Sequence, residues 1–562
     1  MFKNASSFRV FATSLVLSLF TTSVKSATEL DLFFVDPLSN NLITDRSTLK
    51  KHLESNVVDR EVVLSSDEIE SVSFVLTSQK GAHIESISIS PAPDASKSGI
   101  PAINYSMWYV LPWYQGCTPE DIHFKHCKSN IKKSLRPELL VKNPELIQVD
   151  TTLKRNKLKI LHQNTIKWVD ISDDSVMDGP GGRGPDLSLP AGAVVEDDAT
   201  LQSVQIEKGQ QIQVLADIGP FSVSQAQTIP MEIIVTYNGG KIRAFSFSLR
   251  LLPIDLADAR FDYALFYRGR YDPREYDYID SEVRNAERLM AEFRNMKKHG
   301  IENITVTQDY AENDSIKQKF DFFIKAKRGQ GLHNDLFLLW TGKYFDNLEL
   351  ARSLLSHVKK EGVGKVYFFG GDELTINQMK EKERDWARIK QVGGLVFSTA
   401  DPGYISESLD LYVVAKIRSR EVIENLKNAG KEVYLYGEPQ VGIEQPDTYR
   451  RNYGLVPWLL GYNGIMNYAY QDGWGSIWND FDGYFRDHVF AYPTSNGVIG
   501  TLQMKGFREA VDDVRHIELL TMLLEDEKEL GIVLASIQKM MEDGENMNKV
   551  RKYMRDVILE NI

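Results

Sequence analysis

Along the first half of the chain, hydrophobic and polar positions alternate with a period of two. The runs 71–76 (SVSFVL), 232–237 (EIIVTY) and 244–251 (AFSFSLRL) are rich in β-branched and aromatic residues and are divided by turn residues. Helical periodicity is scarce there. This pattern predicts an all-β region over 27–255, built as one or two sandwich units. After residue 255 the texture changes. Short continuous apolar runs at 261–268, 303–307, 335–340, 365–370, 394–398, 409–415, 432–436 and 464–470 alternate with amphipathic stretches at 281–299, 315–328, 348–360, 375–391 and 419–428. Continuous apolar runs are what parallel strands look like when helices cover both faces of their sheet. Eight such strands, most followed by a helix, predict a (β/α)8 barrel of TIM type over 256–489. A doubly wound open sheet is the rival arrangement. The tail 490–562 is expected to form a C-terminal helical segment packed on the barrel, with helices at 506–523 and near the C-terminus.

The N-terminus changes the picture of where the chain works. Lys3 and Arg9 flank the start of an apolar run at 10–20, and small residues at 24–26 offer a cut after Ser26. That is the pattern of a secretory signal peptide over 1–26, and the apolar run is shorter than the ~20 residues that span a bilayer. The mature chain is therefore expected to be secreted or periplasmic, with no membrane span. In an exported chain Cys117 and Cys127 predict a disulfide closing a short loop, two free thiols being the alternative. His123 and His126 lie between them, but the spacing fits no zinc site. The loop 178–190 is rich in Gly and Pro and reads as a surface connection, since its Asp178 and Asp186 lack EF-hand spacing. The chain has 66 Lys+Arg against 78 Asp+Glu, a net charge of -12. An acidic balance argues against a phosphate-backbone binder, so no nucleic acid partner is expected. No GxGxxG or Walker loop follows a strand, so no nucleotide cofactor is expected, and no metal is expected because neither loop above has ligand spacing.

A barrel of this type carries its chemistry on the loops after its strands. Read in order, those positions hold Arg268 and Arg270, Gln308 and Asp309, Trp340 and Lys343, the run Gly370-Gly371-Asp372-Glu373, Lys416, the run 437–440 with Glu438 and Gln440, and then Tyr468, Tyr470, Gln471, Asp472 and Trp474. Asp372 and Glu373 stand out. Two glycines bring the backbone tightly round, and two adjacent carboxylates can leave one carboxylic acid able to give a proton to a leaving oxygen. The bland alternative is a helix cap, because acids are favoured in a first turn. Glu438 ends the seventh strand as Glu373 ends the fourth, which leaves open a two-carboxylate retaining pair. Trp340, Tyr436, Tyr468, Tyr470 and Trp474 gather at strand ends, where aromatic faces suit the C–H faces of a sugar ring. With Arg268, Gln308 and Glu438 they form the candidate substrate-binding set. A Ser/His/Asp or Cys/His nucleophile is poorly supported, since both cysteines lie in the β region and no GxSxG elbow is present.

The stretch 367–373 (YFFGGDE) resembles the Asp-Glu motif of glycoside hydrolase family 123. The passages 295–300 (NMKKHG), Tyr453-Gly454 with Trp458, 464–470, Tyr492-Pro493 and 508–513 (REAVDD) are similar as well, and the likeness extends over most of the mature chain. The resemblance implies a β-sandwich followed by a (β/α)8 barrel and a short C-terminal part. It implies cleavage of terminal β-linked N-acetylgalactosamine by substrate assistance. Glu373 is then the general acid and later the base, and Asp372 orients the 2-acetamido group and stabilises its positive charge. Tyr468 or Tyr470 is the candidate to hold that group.

Three readings follow: an exported exo-acting β-N-acetylhexosaminidase; a retaining glycosidase using Glu373 and Glu438 on sugars without a 2-acetamido group; and a noncatalytic glycan-binding or surface-assembly protein on the same barrel.

Overall fold

The computed structural model describes residues 29–43, 45–55, 60–95, 101–116, 133–173, 189–274, 279, 282–442, 445–473, 475–482 and 486–562. The leader at 1–26, Cys117, Cys127, most of the 178–190 loop and Trp474 lie outside the described residues.

The alternating runs of the first half form two large sheets. One has seven strands in the order Asp31–Val35, Glu70–Thr77, Gln211–Ile218, Tyr105–Gln115, Ser134–Val141, Val498–Thr501 and Ala491–Pro493. The other has five, in the order Val204–Ile206, Ala82–Pro91, Gln227–Tyr237, Lys241–Asp255 and Glu61–Ser66. Every second side chain of a strand faces the same way, so Phe74, Leu76 and Val214 of the first sheet share one hydrophobic core with Ile84, Ile233, Val235 and Leu249 of the second. A small three-stranded antiparallel sheet, Ile147–Asp150, Arg155–His162 and Thr165–Asp170, stands beside them.

The eight predicted strands all form and close into a parallel barrel: β1 (Asp262–Leu265), β2 (Asn303–Val306), β3 (Leu336–Leu338), β4 (Val366–Phe369), β5 (Leu395–Thr399), β6 (Leu411–Ala415), β7 (Glu432–Tyr436) and β8 (Gly464–Asn467). Both faces of each strand are covered. On β4, Val366 and Phe368 pack outward against the helices while Tyr367 and Phe369 fill the interior. On β7, Val433 and Leu435 face out, and Tyr434 and Tyr436 face in. The expected helices are present. Leu348–Lys360 matches residue for residue, and Ile376–Gln391 and Arg420–Asn428 begin one residue after their caps, Thr375 and Ser419.

The chain does not leave the first half behind. After β8 it returns through 468–489 to add Ala491–Pro493 and Val498–Thr501 to the seven-stranded sheet, pairing Gly500 with Leu140. The long helix Leu502–Leu523 follows, then Glu527–Glu542 and Met547–Glu560. A buried charge network joins these parts. Arg551 of the last helix bonds Asp513 at 2.5 Å and reaches Glu68, Glu70 and Glu509. Arg555 bonds Glu68 and Glu70, and Arg450, from a helix between β7 and β8, forks onto Asp513 at 2.7 and 3.0 Å. His516 donates from Nδ1 to the Asp512 carbonyl, so its Nε2 accepts from the Ser65 hydroxyl at 2.9 Å.

Two outcomes follow. Arg551→Met strands several buried carboxylates and is expected to cost about 3–5 kcal/mol of stability in urea unfolding. A loss below about 1 kcal/mol would mean that the network behaves like an exposed pair. Burial, and then the guanidiniums of Arg555 and Arg551, pull the His516 imidazole from 6.5 to about 3. Between those values the unfolded chain binds a proton that the folded protein refuses. This contribution is complete above pH 6.5 and is lost as pH falls. His516→Gln is expected to flatten the decline of melting temperature on acidification, and an unchanged slope would contradict this account.

Candidate active site

From Phe369 the chain must leave the barrel wall and reach the helix Ile376–Gln391 in the short stretch 370–375. Gly370 passes so close to Trp386 that a β carbon would stand 2.6 Å from the indole nitrogen. Gly371 takes a φ of +151°, and a β carbon there would meet the Leu374 side chain at 2.8 Å. Glu373 has a φ of +45°, a left-handed conformation that costs a non-glycine residue roughly 1–2 kcal/mol. Such strain persists only where neighbours impose it, and it gathers at functional sites.

The neighbours here belong to β5. Ser398 donates its hydroxyl to the Gly371 carbonyl at 2.6 Å. Thr399 donates to Asp372 Oδ1 at 2.8 Å and accepts the Glu373 amide at 2.5 Å. Its carbonyl takes the Leu374 amide at 2.9 Å. One hydroxyl thus fixes the side chain of the first acid and the backbone of the second.

The helix-cap alternative fails on geometry. The cap is Thr375, in a capping box with Gln378, and the first turn of the helix contains no acid. Asp372 and Glu373 lie ahead of the cap with both side chains exposed at the strand C-termini.

Across the mouth, the Tyr436 hydroxyl stands 3.5 Å from Glu373 Oε1 and accepts from Gln440 Nε2 at 2.6 Å. Burial, and then the Glu373 and Asp372 carboxylates, push the Tyr436 phenol far above its ordinary value, so it remains a proton donor to Glu373. The floor beneath is aromatic. Phe266 packs against Phe369, Tyr436 and Tyr468 at ring-centroid distances of 6.3, 6.0 and 5.4 Å. Tyr468 donates to Asp472, which pairs with Arg268 at 3.3 Å. Arg268 also bonds Glu282 at 2.5 Å, and both Arg268 and Arg270 lie against the Trp340 ring at 5.6 and 5.0 Å. Trp340 is half exposed and shares with Glu373 and Lys416 a positive φ at a barrel-strand end.

The mouth therefore brings together Asp372, Glu373, Tyr436 and Tyr468, with Trp340 exposed on the rim and Arg268 buried beside it. It does not bring in Tyr470, which is fully buried in the layer between barrel and helices and donates its hydroxyl to Asn295 at 2.9 Å. Gln308 is buried and occupied, accepting the Tyr271 amide at 2.7 Å. Glu438 follows β7 half-buried, its amide bonded to the Tyr453 hydroxyl at 2.8 Å. The residue that β7 turns toward Glu373 is Tyr436. Among the described residues no group of three or more His, Cys, Asp or Glu is placed to hold a metal ion.

The sequence reading missed Thr399 and Glu282. It names no residue after the fifth strand, although the adjacent hydroxyls Ser398 and Thr399 at the end of a buried apolar run were a usable signal. Glu282 lies in an insert after β1 and had none.

No family model and no curated protein matches the chain. Among solved structures, a family 123 glycoside hydrolase from Clostridium perfringens superposes with a TM-score of 0.61 at 11% identity, over 95% of this chain and 100% of that one. A family 5 xyloglucanase from Bacteroides ovatus superposes with a TM-score of 0.29 at 8% identity, over 81% of this chain and 98% of that one. The first likeness covers the sheets, the barrel and the C-terminal helices and establishes a shared fold.

Thr399→Val removes the shared hydroxyl while keeping the shape of the side chain. A crystal structure of the variant is expected to show Asp372 released from its rotamer and Glu373 out of the left-handed region. The melting temperature should shift by no more than a few degrees, as befits about 1 kcal/mol. Retention of both conformations would mean that the glycines alone set the turn.

Proposed function

We propose that this chain is an exported glycoside hydrolase that removes a terminal β-linked 2-acetamido sugar with retention, N-acetylgalactosamine in preference to other N-acetylhexosamines. The observation that carries this reading is the Asp372–Glu373 pair, uncapped, exposed and held by Thr399 at the C-terminal end of β4. The fold shared with a family 123 enzyme, described as a hydrolase of glycolipid glycans, supports it. So does the aromatic floor. The two large sheets are read as a β-sandwich built from 27–255 together with the returning strands Ala491–Pro493 and Val498–Thr501, the barrel as the catalytic domain over 256–489, and 1–26 as the leader that directs export.

In this reading Glu373 gives its proton to the glycosidic oxygen as the bond to the anomeric carbon breaks. The carbonyl oxygen of the substrate's own acetamido group bonds that carbon from the opposite face. The acetamido nitrogen becomes positively charged, and Asp372, already oriented by Thr399, accepts its N–H and offsets the charge. Glu373, now a carboxylate, takes a proton from water, which attacks the same carbon and returns the acetamido group. Tyr436 donates toward Glu373 Oε1 and orients that carboxyl group. The nucleophile belongs to the substrate, so no second carboxylate is needed across the mouth. Tyr468 and Trp340 are the aromatic surfaces available to the sugar and its aglycone.

Aryl β-glycosides of N-acetylgalactosamine, N-acetylglucosamine, galactose and glucose test the reading. Turnover is expected only for the 2-acetamido sugars. Glu373→Gln is expected to lower kcat by at least about a hundredfold, and Asp372→Asn to lower it similarly. Turnover of the plain galactoside or glucoside, with Asp372→Asn still active and Glu438→Gln dead, would replace this mechanism with a two-carboxylate one.

A further inference from the structure

The small three-stranded sheet beside the two large ones has a surface unlike the rest of the protein. Its middle strand alternates cleanly: Asn156, Leu158 and Ile160 are buried, while Lys157, Lys159 and Leu161 point outward. The register places Leu161 opposite Ile166 and Lys159 opposite Trp168, so these side chains share one outward face. Leu153, in the turn before the strand, is 66% exposed, Ile166 61%, Leu161 43% and Trp168 36%. They are four of the large exposed apolar side chains among the described residues, and the others are spread singly over 242–562. Isolated exposed apolar residues are ordinary, but Leu161, Ile166 and Trp168 gathered on one face of a small sheet mark a contact surface.

The charge around them is equally local. Within 150–170 there are five Lys and Arg against two Asp, an excess of three positive charges in a chain whose net charge is -12. Basic side chains interleaved with aliphatic and aromatic ones describe a surface that sits on an anionic bilayer. The lysines meet headgroup phosphates, their stems lie along the interface, and Leu, Ile and Trp enter the acyl boundary. A soluble polyanion would use the lysines but not Leu161 or Ile166. A second copy meeting this face with its own would bring like charges together. Among the described residues no helix is long and apolar enough to cross a membrane, so this contact would be peripheral.

We propose that the face formed by Lys157, Lys159, Leu161, Ile166 and Trp168 docks this protein onto the surface of an anionic lipid bilayer. The sheet is well placed for this. Asn156 is clamped to the backbone of Tyr114 by bonds of 2.7 and 2.9 Å, and beside it Asn479 reaches the Asp173 carbonyl at 3.0 Å. Asn479 lies seven residues along the chain from Asp472, which pairs with Arg268 in the barrel mouth. The docking face and the active face are thus held by neighbouring residues of one stretch of chain. The proposal does not depend on the catalytic reading.

The test is sedimentation of the full mature chain with vesicles of phosphatidylcholine alone and of phosphatidylcholine mixed with phosphatidylglycerol. Binding is expected only to the anionic vesicles, weakening as salt rises. Lys157→Glu with Lys159→Glu should lower the partition coefficient at least about tenfold. Ile166→Ser with Trp168→Ser should abolish sedimentation while circular dichroism and melting temperature stay unchanged. Equal binding to neutral vesicles, no sedimentation, or retention by both variants would overturn the proposal. So would binding of soluble dextran sulfate that survives the apolar variant, or a dimer in sedimentation velocity that either variant dissolves.

Discussion

The structure depends on a charge network sealed inside the protein. Asp513 of the long helix receives Arg450 from the barrel and Arg551 from the last helix, and Arg551 and Arg555 carry the contact on to Glu68 and Glu70 at the edge of the N-terminal sheets. Each ion has lost its water, and isolated burial would be costly. The arrangement is stable only because every charge faces an opposite one at hydrogen-bond distance. A network of this kind requires all its contributors at once, so it fixes how the sheets, the barrel and the tail sit on one another. Arg508 to Asp513, a passage that resembles family 123 sequences, is therefore a structural motif in this chain.

The same logic recurs at small scale in the barrel mouth. A left-handed glutamate and two glycines against packed side chains are unfavourable choices for a loop that only had to start a helix. Thr375 and Gln378 already do that. The unfavourable turn is held by hydroxyls and backbone groups of β5, and its product is a pair of carboxylates facing the opening above an aromatic floor. The chemistry assigned to that pair needs one acid to move a proton and one to orient the acetamido group, and Tyr436 contacts the first of them at 3.5 Å.

Much of this was legible beforehand, for identifiable reasons. All eight barrel strands could be read because doubly buried strands are continuous apolar runs, and their order gave the mouth. Asp372 and Glu373 could be found because two glycines announce a turn. Tyr470 was misplaced because pairing in β8 ends at Asn467, so strand alternation no longer tells which way a later side chain points. The return of 491–501 to the first sheet was invisible, since two strands of three and four residues carry little periodicity. Thr399 and Glu282 act through partners distant in sequence, and no local pattern announces such a partner.

The central claim is that the substrate's acetamido oxygen is the nucleophile at Asp372–Glu373. It is tested most directly with aryl N-acetyl-β-galactosaminides whose acetyl group bears none, one, two or three fluorines. Fluorine withdraws electrons from the carbonyl oxygen and leaves the glycosidic bond alone. The account predicts that kcat/KM falls steeply with each fluorine. A flat series, with turnover intact, would contradict it and would require a nucleophile from the protein.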